Sequence, residues 1–213
     1  MNEVPATFYD ADYYEHGQVT GKGWYENYRW MPRRSFREAL AIIDALQLTD
    51  DIRLLDFGCA KGFLVRAMRE LEMRADGCDI STYALGFAPP GCWNCSIEAN
   101  WRKARKTGYT HIFCKDVFEH MTSKQLHDNL LSITTFKPEL MLAIVPLAKN
   151  GIYIIPEYHY DSTHILKSDI KWWNNAFAIA GWKVKSFTYR INGLKDNWAH
   201  YPKGNGFYVL SLD

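Results

Sequence analysis

The sequence lacks any apolar run of the length that crosses a membrane. A membrane-spanning helix needs about 20 predominantly apolar residues, whereas the continuous apolar run at residues 140–145 is followed at once by Pro146. The first residues also lack the apolar core of a secretory signal peptide. We therefore expect a cytoplasmic protein that has no membrane partner.

An excess of charge of either sign is also missing. The 25 lysines and arginines nearly balance the 24 aspartates and glutamates, so the formal net charge is +1. A protein whose main partner is a nucleic acid usually carries a basic face, and the short basic run at residues 102–106 is typical of a solvated helix surface. We expect a small-molecule substrate, no nucleic-acid partner, and a monomer or a homodimer.

The five cysteines do not have the arrangement of a zinc site. Cys92 and Cys95 form one C-x-x-C pair, and a structural zinc ion needs a second pair of ligands at comparable spacing. No such pair is present in the sequence. We therefore attribute Cys92 and Cys95 to packing or chance.

What the chain does have is a regular alternation of strand and helix patterns. Apolar segments bounded by turn residues predict strands near residues 54–57, 75–80, 93–97, 109–116, 140–145, 183–189 and 207–212. This alternation predicts an α/β fold with a doubly wound, mostly parallel sheet that is closed by a C-terminal hairpin. With no linker or repeat in the sequence, we expect residues 1–213 to form a single domain.

Helical spacing of apolar residues predicts the helices between these strands. The pattern over residues 33–48 predicts one buried face, made of Phe36, Leu40, Ile43 and Leu46. A helix over residues 100–107 is predicted to be exposed. Thr122 and Gln125 have the spacing of a capping box and predict the start of another helix.

One stretch, from Arg53 to Leu64, combines a buried strand, a glycine turn and the start of a helix. Such a loop exposes backbone N–H groups on which a nucleotide-like ligand can lie. The dinucleotide fingerprint G-x-G-x-x-G fails because Ala60 and Phe63 occupy two of its positions, and no Gly-Lys-Ser/Thr follows to make a P-loop. The carboxylate of Asp56 suits a ligand that carries an ammonium and a sulfonium better than one that carries a pyrophosphate.

The Asp-x-Gly-x-x-x-Gly pattern resembles motif I of the class I S-adenosylmethionine (SAM) dependent methyltransferases, with Ala60 where glycine is commoner. The resemblance implies their Rossmann-like sheet of seven strands, with an antiparallel C-terminal strand, and SAM as the cofactor. Asp79 follows the second strand, where doubly wound folds place a carboxylate that binds ribose hydroxyls. The candidate cofactor-binding residues are Asp56, Gly58, Cys59, Ala60, Gly62, Phe63, Asp79, Ile80, Ser81, Asp116 and Val117.

The candidate chemistry lies after the fourth strand, in Asp116-Val117-Phe118-Glu119-His120, with His164 beyond the fifth strand. This segment resembles the Asp/Glu-x-x-Glu-His segment of the ubiquinone-biosynthesis O-methyltransferases and of the small-RNA 3′-terminal 2′-O-methyltransferases. That resemblance implies a divalent metal held by Asp116, Glu119, His120 and His164. Two alternatives stay open, a histidine that acts as a base without metal and a structural role. We take Glu119, His120 and His164 as candidate catalytic residues and predict no resident metal ion.

These observations predict an enzyme, a SAM-dependent methyltransferase that acts on a small polar molecule, most simply at oxygen. The alternatives are a nucleotide-dependent oxidoreductase on a related sheet and a non-catalytic SAM-binding protein. The Asn/Asp-Pro-Pro-Tyr/Phe segment of base-modifying N-methyltransferases is absent. The aromatic-rich residues 1–30 are expected to form a cap or a lid over the site.

Overall fold

A computed structural model describes residues 3–212, which form a seven-stranded sheet with helices on both faces. The strands of this sheet are β1 (Leu54–Phe57), β2 (Ala75–Asp79), β3 (Cys92–Asn94), β4 (His111–Lys115), β5 (Leu140–Pro146), β8 (Lys183–Thr188) and β9 (Asn205–Ser211). A separate small hairpin pairs β6 (Ala148–Lys149) with β7 (Ile152–Tyr153).

The order of the strands in the sheet is β3-β2-β1-β4-β5-β9-β8. The first five pair in parallel, as in the register of Asp56 with Gly77 and with Phe113. Strand β9 is antiparallel to both β5 and β8. The predicted fold class, a doubly wound and mostly parallel sheet with an antiparallel C-terminal strand, is confirmed.

Within residues 3–212, seven α-helices connect and cover the strands. They are α1 (Ala11–Thr20), α2 (Pro32–Leu46), α3 (Phe63–Glu70), α4 (Thr82–Leu85), α5 (Glu98–Ala104), α6 (Ser123–Thr134) and α7 (Ile170–Ile179). Helices α2 and α3 bury one face of the sheet, and α5, α6 and α7 bury the other. Side chains alternate along each strand, so Leu54 faces the α2 side while Leu55 faces the α7 side.

Two sequence predictions about buried faces need correction. In α2 the predicted Leu46 is buried, and the predicted Phe36 and Ile43 are partly buried against the same core cluster, but Leu40 is 55% exposed. The other buried residues of the helix, which were not predicted, are Ser35, Ala39 and Ile42. Ala39 belongs to the same buried cluster as Leu64 and Val65 of α3, so the buried face of α2 is set by its packing against α3 as well as by hydrophobicity.

Helix α5 is the second correction. It was predicted over residues 100–107 as an exposed helix, but it covers Glu98–Ala104 and buries Trp101 and Ala104. Trp101 stacks on Phe136, with ring centroids 5.5 Å apart, and its indole N–H donates to the carbonyl of Cys95. Burial of the large indole ring of Trp101 therefore decides which face of α5 packs inward, although basic residues lie beside it in the sequence. The capping box of Thr122 and Gln125 is confirmed at the start of α6.

The N-terminal residues pack over the carboxyl ends of the central strands. A 3₁₀ turn (Ala6–Phe8) leads into α1, and Tyr9, Tyr13 and Tyr14 form a buried cluster with Ala84 of α4. We call residues 3–30 the aromatic cap. No helix formed by residues 3–212 has the length and apolar character that spanning a bilayer requires.

Candidate functional site

A cavity of about 770 Å³ opens where β1, β2 and β4 end, between the sheet and the aromatic cap. Parallel strands place their carboxyl ends on one edge, so loops that are distant in sequence meet there. The predicted site residues that line the cavity are Asp56, Gly58, Cys59, Ala60, Phe63, Asp79, Ile80, Asp116, Val117, His120 and His164. The lining does not include Gly62, Ser81 or Glu119, which were also predicted site residues.

The glycine loop between β1 and α3 has three residues with left-handed backbone. The φ angles are +84° at Gly58, +48° at Ala60 and +69° at Gly62. A Cβ on Gly58 would lie 2.2 Å from Cγ2 of Val117, so glycine is required there by space as well as by φ. Ala60 adopts the same region, which costs an L-residue about 1 kcal/mol.

Asp79 ends β2 and is held by two backbone amides. The N–H of Ala60 donates to Oδ2 at 2.8 Å, and the N–H of Ser81 donates to Oδ1 at 2.8 Å. Each oxygen keeps a second lone pair, and the residue lines the cavity. Burial raises the pKa of this carboxyl. Ser81 itself faces away, because its hydroxyl donates to the carbonyl of Tyr9.

Asp56 lies at the base of the cavity beside this loop. Burial raises the pKa of its carboxyl to about 7, although Lys115 opposes the shift. Lys115 is committed elsewhere, since its ammonium donates to Oε1 of Glu38 at 2.8 Å. With Lys115 paired to Glu38, a cation bound in the cavity would favour the ionised form of Asp56.

Asp116, the first residue after β4, is paired with a cation. It has φ of +57°, and Lys195 of the loop between β8 and β9 donates to its Oδ1. Although burial opposes ionisation, Lys195 and Lys115 keep the pKa of Asp116 below its usual value. Because Asp116 is paired with Lys195, it does not join the four-residue set of metal ligands that the sequence resemblance implied.

The other three members of that set do come together. One carboxyl oxygen of Glu119 and one ring nitrogen each of His120 and His164 lie within 4.8 Å of one another. Neither carboxyl oxygen of Glu119 has a hydrogen-bond partner among residues 3–212, and the side chain is fully buried. Burial raises the pKa of this carboxyl well above its usual range. An orphaned carboxyl beside two imidazoles is a donor set that fits a divalent metal ion.

Burial favours the neutral form of both histidines, and each has one ring nitrogen in a short polar contact. Burial lowers the pKa of His120, and burial together with His120 lowers the pKa of His164 to about 4. Nδ1 of His164 lies 2.8 Å from the carbonyl oxygen of Tyr158, which can only accept, so Nδ1 carries the proton. Nδ1 of His120 lies 2.6 Å from Oγ1 of Thr163. The bond to the Tyr158 carbonyl therefore leaves Nε2 of His164 as the free lone pair of that ring.

The aromatic cap is attached to the loops of the site by polar contacts. The Tyr13 hydroxyl donates to Oδ2 of Asp161 at 3.0 Å. The buried ammonium of Lys61 pairs with Glu15 and donates to the carbonyl of Tyr28 at 2.8 Å. Tyr9 packs edge-on against His120, with ring centroids 6.0 Å apart.

Several residues of the site were not among the predicted set. They are Tyr13, Glu38, Lys115, Thr163 and Lys195. Only Thr163 had a local signal, because Asp161-Ser162-Thr163 has the spacing of an Asx turn, and the N–H of Thr163 does donate to Oδ1 of Asp161. Tyr13 lies in the segment expected to form a cap or a lid, and Lys115 directly precedes Asp116, but no pattern in the sequence marks Glu38 or Lys195 as part of the site.

No protein-family model matches this sequence, and a comparison with curated proteins finds no similar sequence. Among solved structures, the chain is similar to a SAM-dependent methyltransferase from Anabaena variabilis, with TM-score 0.64 and 15% identity, covering 96% of this chain and 93% of that one.

Two further structures show how varied the proteins of this fold are. Magnesium protoporphyrin IX methyltransferase from Synechocystis PCC 6803, solved with bound SAH, has TM-score 0.58 and 11% identity, covering 84% of this chain and 83% of that one. The [4+2]-cyclase SpnF has TM-score 0.61 and 12% identity, covering 99% and 96%. The chain therefore has the Rossmann-like fold that SAM-dependent methyltransferases share, and its chemistry must be argued from its own site.

Proposed function

We propose that this protein binds SAM in the cavity and transfers the methyl group to a hydroxyl oxygen of a small polar molecule. One observation carries the proposal: Asp56, Asp79 and the neutral His120 line the same cavity. The volume of the cavity falls within the roughly 300–1,000 Å³ typical of small-molecule sites. Two carboxylates for a cationic nucleoside and one base for an acceptor are the groups that this reaction needs.

The residues of the cavity fit the cofactor at both of its ends. The free lone pairs of Asp79 suit two ribose hydroxyls, and Ile80 offers an apolar surface beside the base. Asp56 faces the amino-acid end, where an ammonium would favour its ionised form. When bound, SAM supplies an electrophilic methyl group on a sulfonium.

The acceptor would enter from the side of His120. Its oxygen must come within about 3–3.5 Å of the methyl carbon and in line with the breaking bond. Nε2 of His120 is the lone pair that can take the hydroxyl proton. Trp24, Tyr158 and Trp198 line the cavity as well and offer flat surfaces for a ring. The net charge of +1 favours a small molecule over a nucleic acid as the acceptor.

A metal-assisted version of the same transfer is the second candidate. It is supported by the buried, unpartnered carboxyl of Glu119 beside His120 and His164. These three residues would hold a divalent ion, which would orient the acceptor oxygen and lower its pKa. Chelator-treated protein titrated with Mg²⁺, Mn²⁺ or Zn²⁺ would show saturable binding that Glu119→Gln abolishes. A fully active, metal-free protein would leave His120 as the base.

Calorimetry tests the cofactor first. We expect SAM and its demethylated product to bind saturably and NAD not to bind. Asp79→Asn keeps the shape of the side chain but removes its charge, so SAM affinity should fall at least tenfold, about 1.4 kcal/mol. Asp44→Asn removes a charge from an exposed position of α2 and is the matched control.

The other outcomes separate the alternatives. Binding of NAD instead of SAM would replace the proposal with a nucleotide-dependent oxidoreductase. Binding of SAM that leads to no methylated product with any acceptor would favour a non-catalytic SAM-binding protein, or other chemistry on this fold, as the cyclase SpnF illustrates by its name.

A further inference from the structure

We propose that Asp161, Thr163 and Tyr13 form a positioning chain that fixes the ring of His120, so that the aromatic cap completes the reaction site. This inference rests on the proposed function, because it assigns His120 the free Nε2 that the transfer uses. None of the three residues was among the predicted site residues. They act on the reaction through His120.

The chain is continuous from the cap to the histidine. Tyr13 donates to Oδ2 of Asp161 at 3.0 Å, Thr163 donates to Oδ1 of the same carboxylate, and Nδ1 of His120 lies 2.6 Å from the Thr163 hydroxyl. Tyr13, Asp161 and Thr163 are 3%, 7% and 1% exposed. Bonds in such a buried, fully connected network are stronger than those at a surface.

The direction of each hydrogen bond follows from the chemistry of the groups. Asp161 accepts hydrogen bonds from the Tyr13 hydroxyl and from both the N–H and the hydroxyl of Thr163, and donors of this kind favour the ionised form of a carboxyl group. Ionised Asp161 can only accept, so the Thr163 hydroxyl must donate to it. The oxygen of Thr163 then accepts the proton on Nδ1 of His120. One carboxylate therefore determines which nitrogen of the ring carries the proton.

The cap reaches this carboxylate from 148 residues away in sequence. Burial raises the pKa of the Tyr13 hydroxyl well above its usual value, so it remains a donor. Gly23 leaves the space for this approach, because a Cβ there would lie 2.6 Å from Cε2 of Tyr13 and 3.3 Å from Oδ2 of Asp161. The cap thus presents a specific donor to the site rather than only an apolar cover.

Thr163→Val tests the chain, since valine has nearly the shape of threonine but no hydroxyl. Two-dimensional ¹H–¹⁵N spectra of the imidazole rings report which nitrogen carries the proton. We expect the wild-type His120 to be protonated at Nδ1 and the variant to show a mixture of the two tautomers. Methyl transfer should fall about 10- to 100-fold in kcat, the range found when a metal-bound histidine loses the hydrogen-bond partner that orients it. The KM for SAM should stay within about twofold.

Three further variants make the test specific. Thr163→Ser restores the hydroxyl and should restore both the tautomer and kcat. Tyr13→Phe removes the donor from the cap and should lower kcat in the same way with a smaller effect on the tautomer. Ser162→Ala removes a neighbouring hydroxyl that donates to the carbonyl of Lys22 in the cap. It therefore loses a cap contact outside the positioning chain and should leave both readouts unchanged.

A Thr163→Val protein with the wild-type tautomer and kcat would overturn the inference. So would a loss of kcat that Thr163→Ser does not rescue, because that result would indicate a packing role. The tautomer is measured without substrate or cofactor. If the wild-type protein fails to bind SAM, the proposed function fails, while the spectra still decide whether the chain orients His120.

Discussion

Asp56 offers a direct test of how the cavity is prepared for a cation. The pKa of its buried carboxyl is about 7 in the folded chain, against about 3.9 for an unfolded aspartate. A folded pKa above the unfolded one makes a contribution to stability that is fully present below pH 4. This contribution is lost as the pH rises through 7. Replacing Asp56 by the neutral isostere asparagine should therefore remove a pH-dependent penalty.

The size of the effect on the free energy of unfolding follows from the raised pKa of Asp56. Each pKa unit is worth about 1.36 kcal/mol, so a shift of about three units corresponds to roughly 4 kcal/mol at high pH. Most of this loss of stability is already complete at pH 7. Between pH 5 and pH 8 the free energy of unfolding of Asp56→Asn should rise by about 2–3 kcal/mol relative to the wild type.

Urea unfolding of the ligand-free protein at several pH values measures this difference. Asp44→Asn, on the exposed surface of α2, should follow the wild-type curve at every pH. A difference between Asp56→Asn and the wild type that stays constant within about 0.5 kcal/mol from pH 5 to pH 8 would refute the reasoning, since it would mean that folding does not perturb this carboxyl.

Two further predictions concern packing and backbone, both measured by urea unfolding. Gly58→Ala should destabilise the protein by more than about 2 kcal/mol, because its Cβ would collide with Val117 at an already left-handed residue. Gly108→Ala, with a similar positive φ but open space around it, should cost only about 1 kcal/mol, and equal losses would contradict the collision. Ile42→Ala should cost about 2–5 kcal/mol because the side chain is fully buried in α2, whereas Leu40→Ala should change stability by less than about 0.5 kcal/mol. The reverse order would restore the face predicted from the sequence.

The buried face of α2 shows what hydrophobic periodicity in a sequence does not predict. Leu40 satisfies the helical spacing of apolar residues, yet it is exposed, while the polar Ser35 is buried. Hydrophobic periodicity locates a helix because a helix must bury one side. The exact angle at which it packs depends on the shape of α3, which the sequence of α2 does not contain.

The residues of the site also differ in whether the sequence could predict them. The glycine loop and Asp79 could be predicted because a strand followed by a glycine turn, and an acid about twenty residues later, are local patterns. Lys195 and Tyr13 could not be predicted, since their partners Asp116 and Asp161 lie 79 and 148 residues away. A hydrogen bond across such a distance leaves no spacing to recognise.

The sequence by itself determined the alternation of strands and helices, the glycine loop at Gly58 and the acids that follow the strands, because each of these depends on neighbours within a few residues. Only the tertiary structure decided which of those acids are free and which are paired. It pairs Asp116 with Lys195, encloses Glu119 beside His120 and His164, and brings the aromatic cap to Asp161. The physical reason is that the ends of parallel strands gather distant loops on one edge of the sheet, where burial and charge set the state of each group.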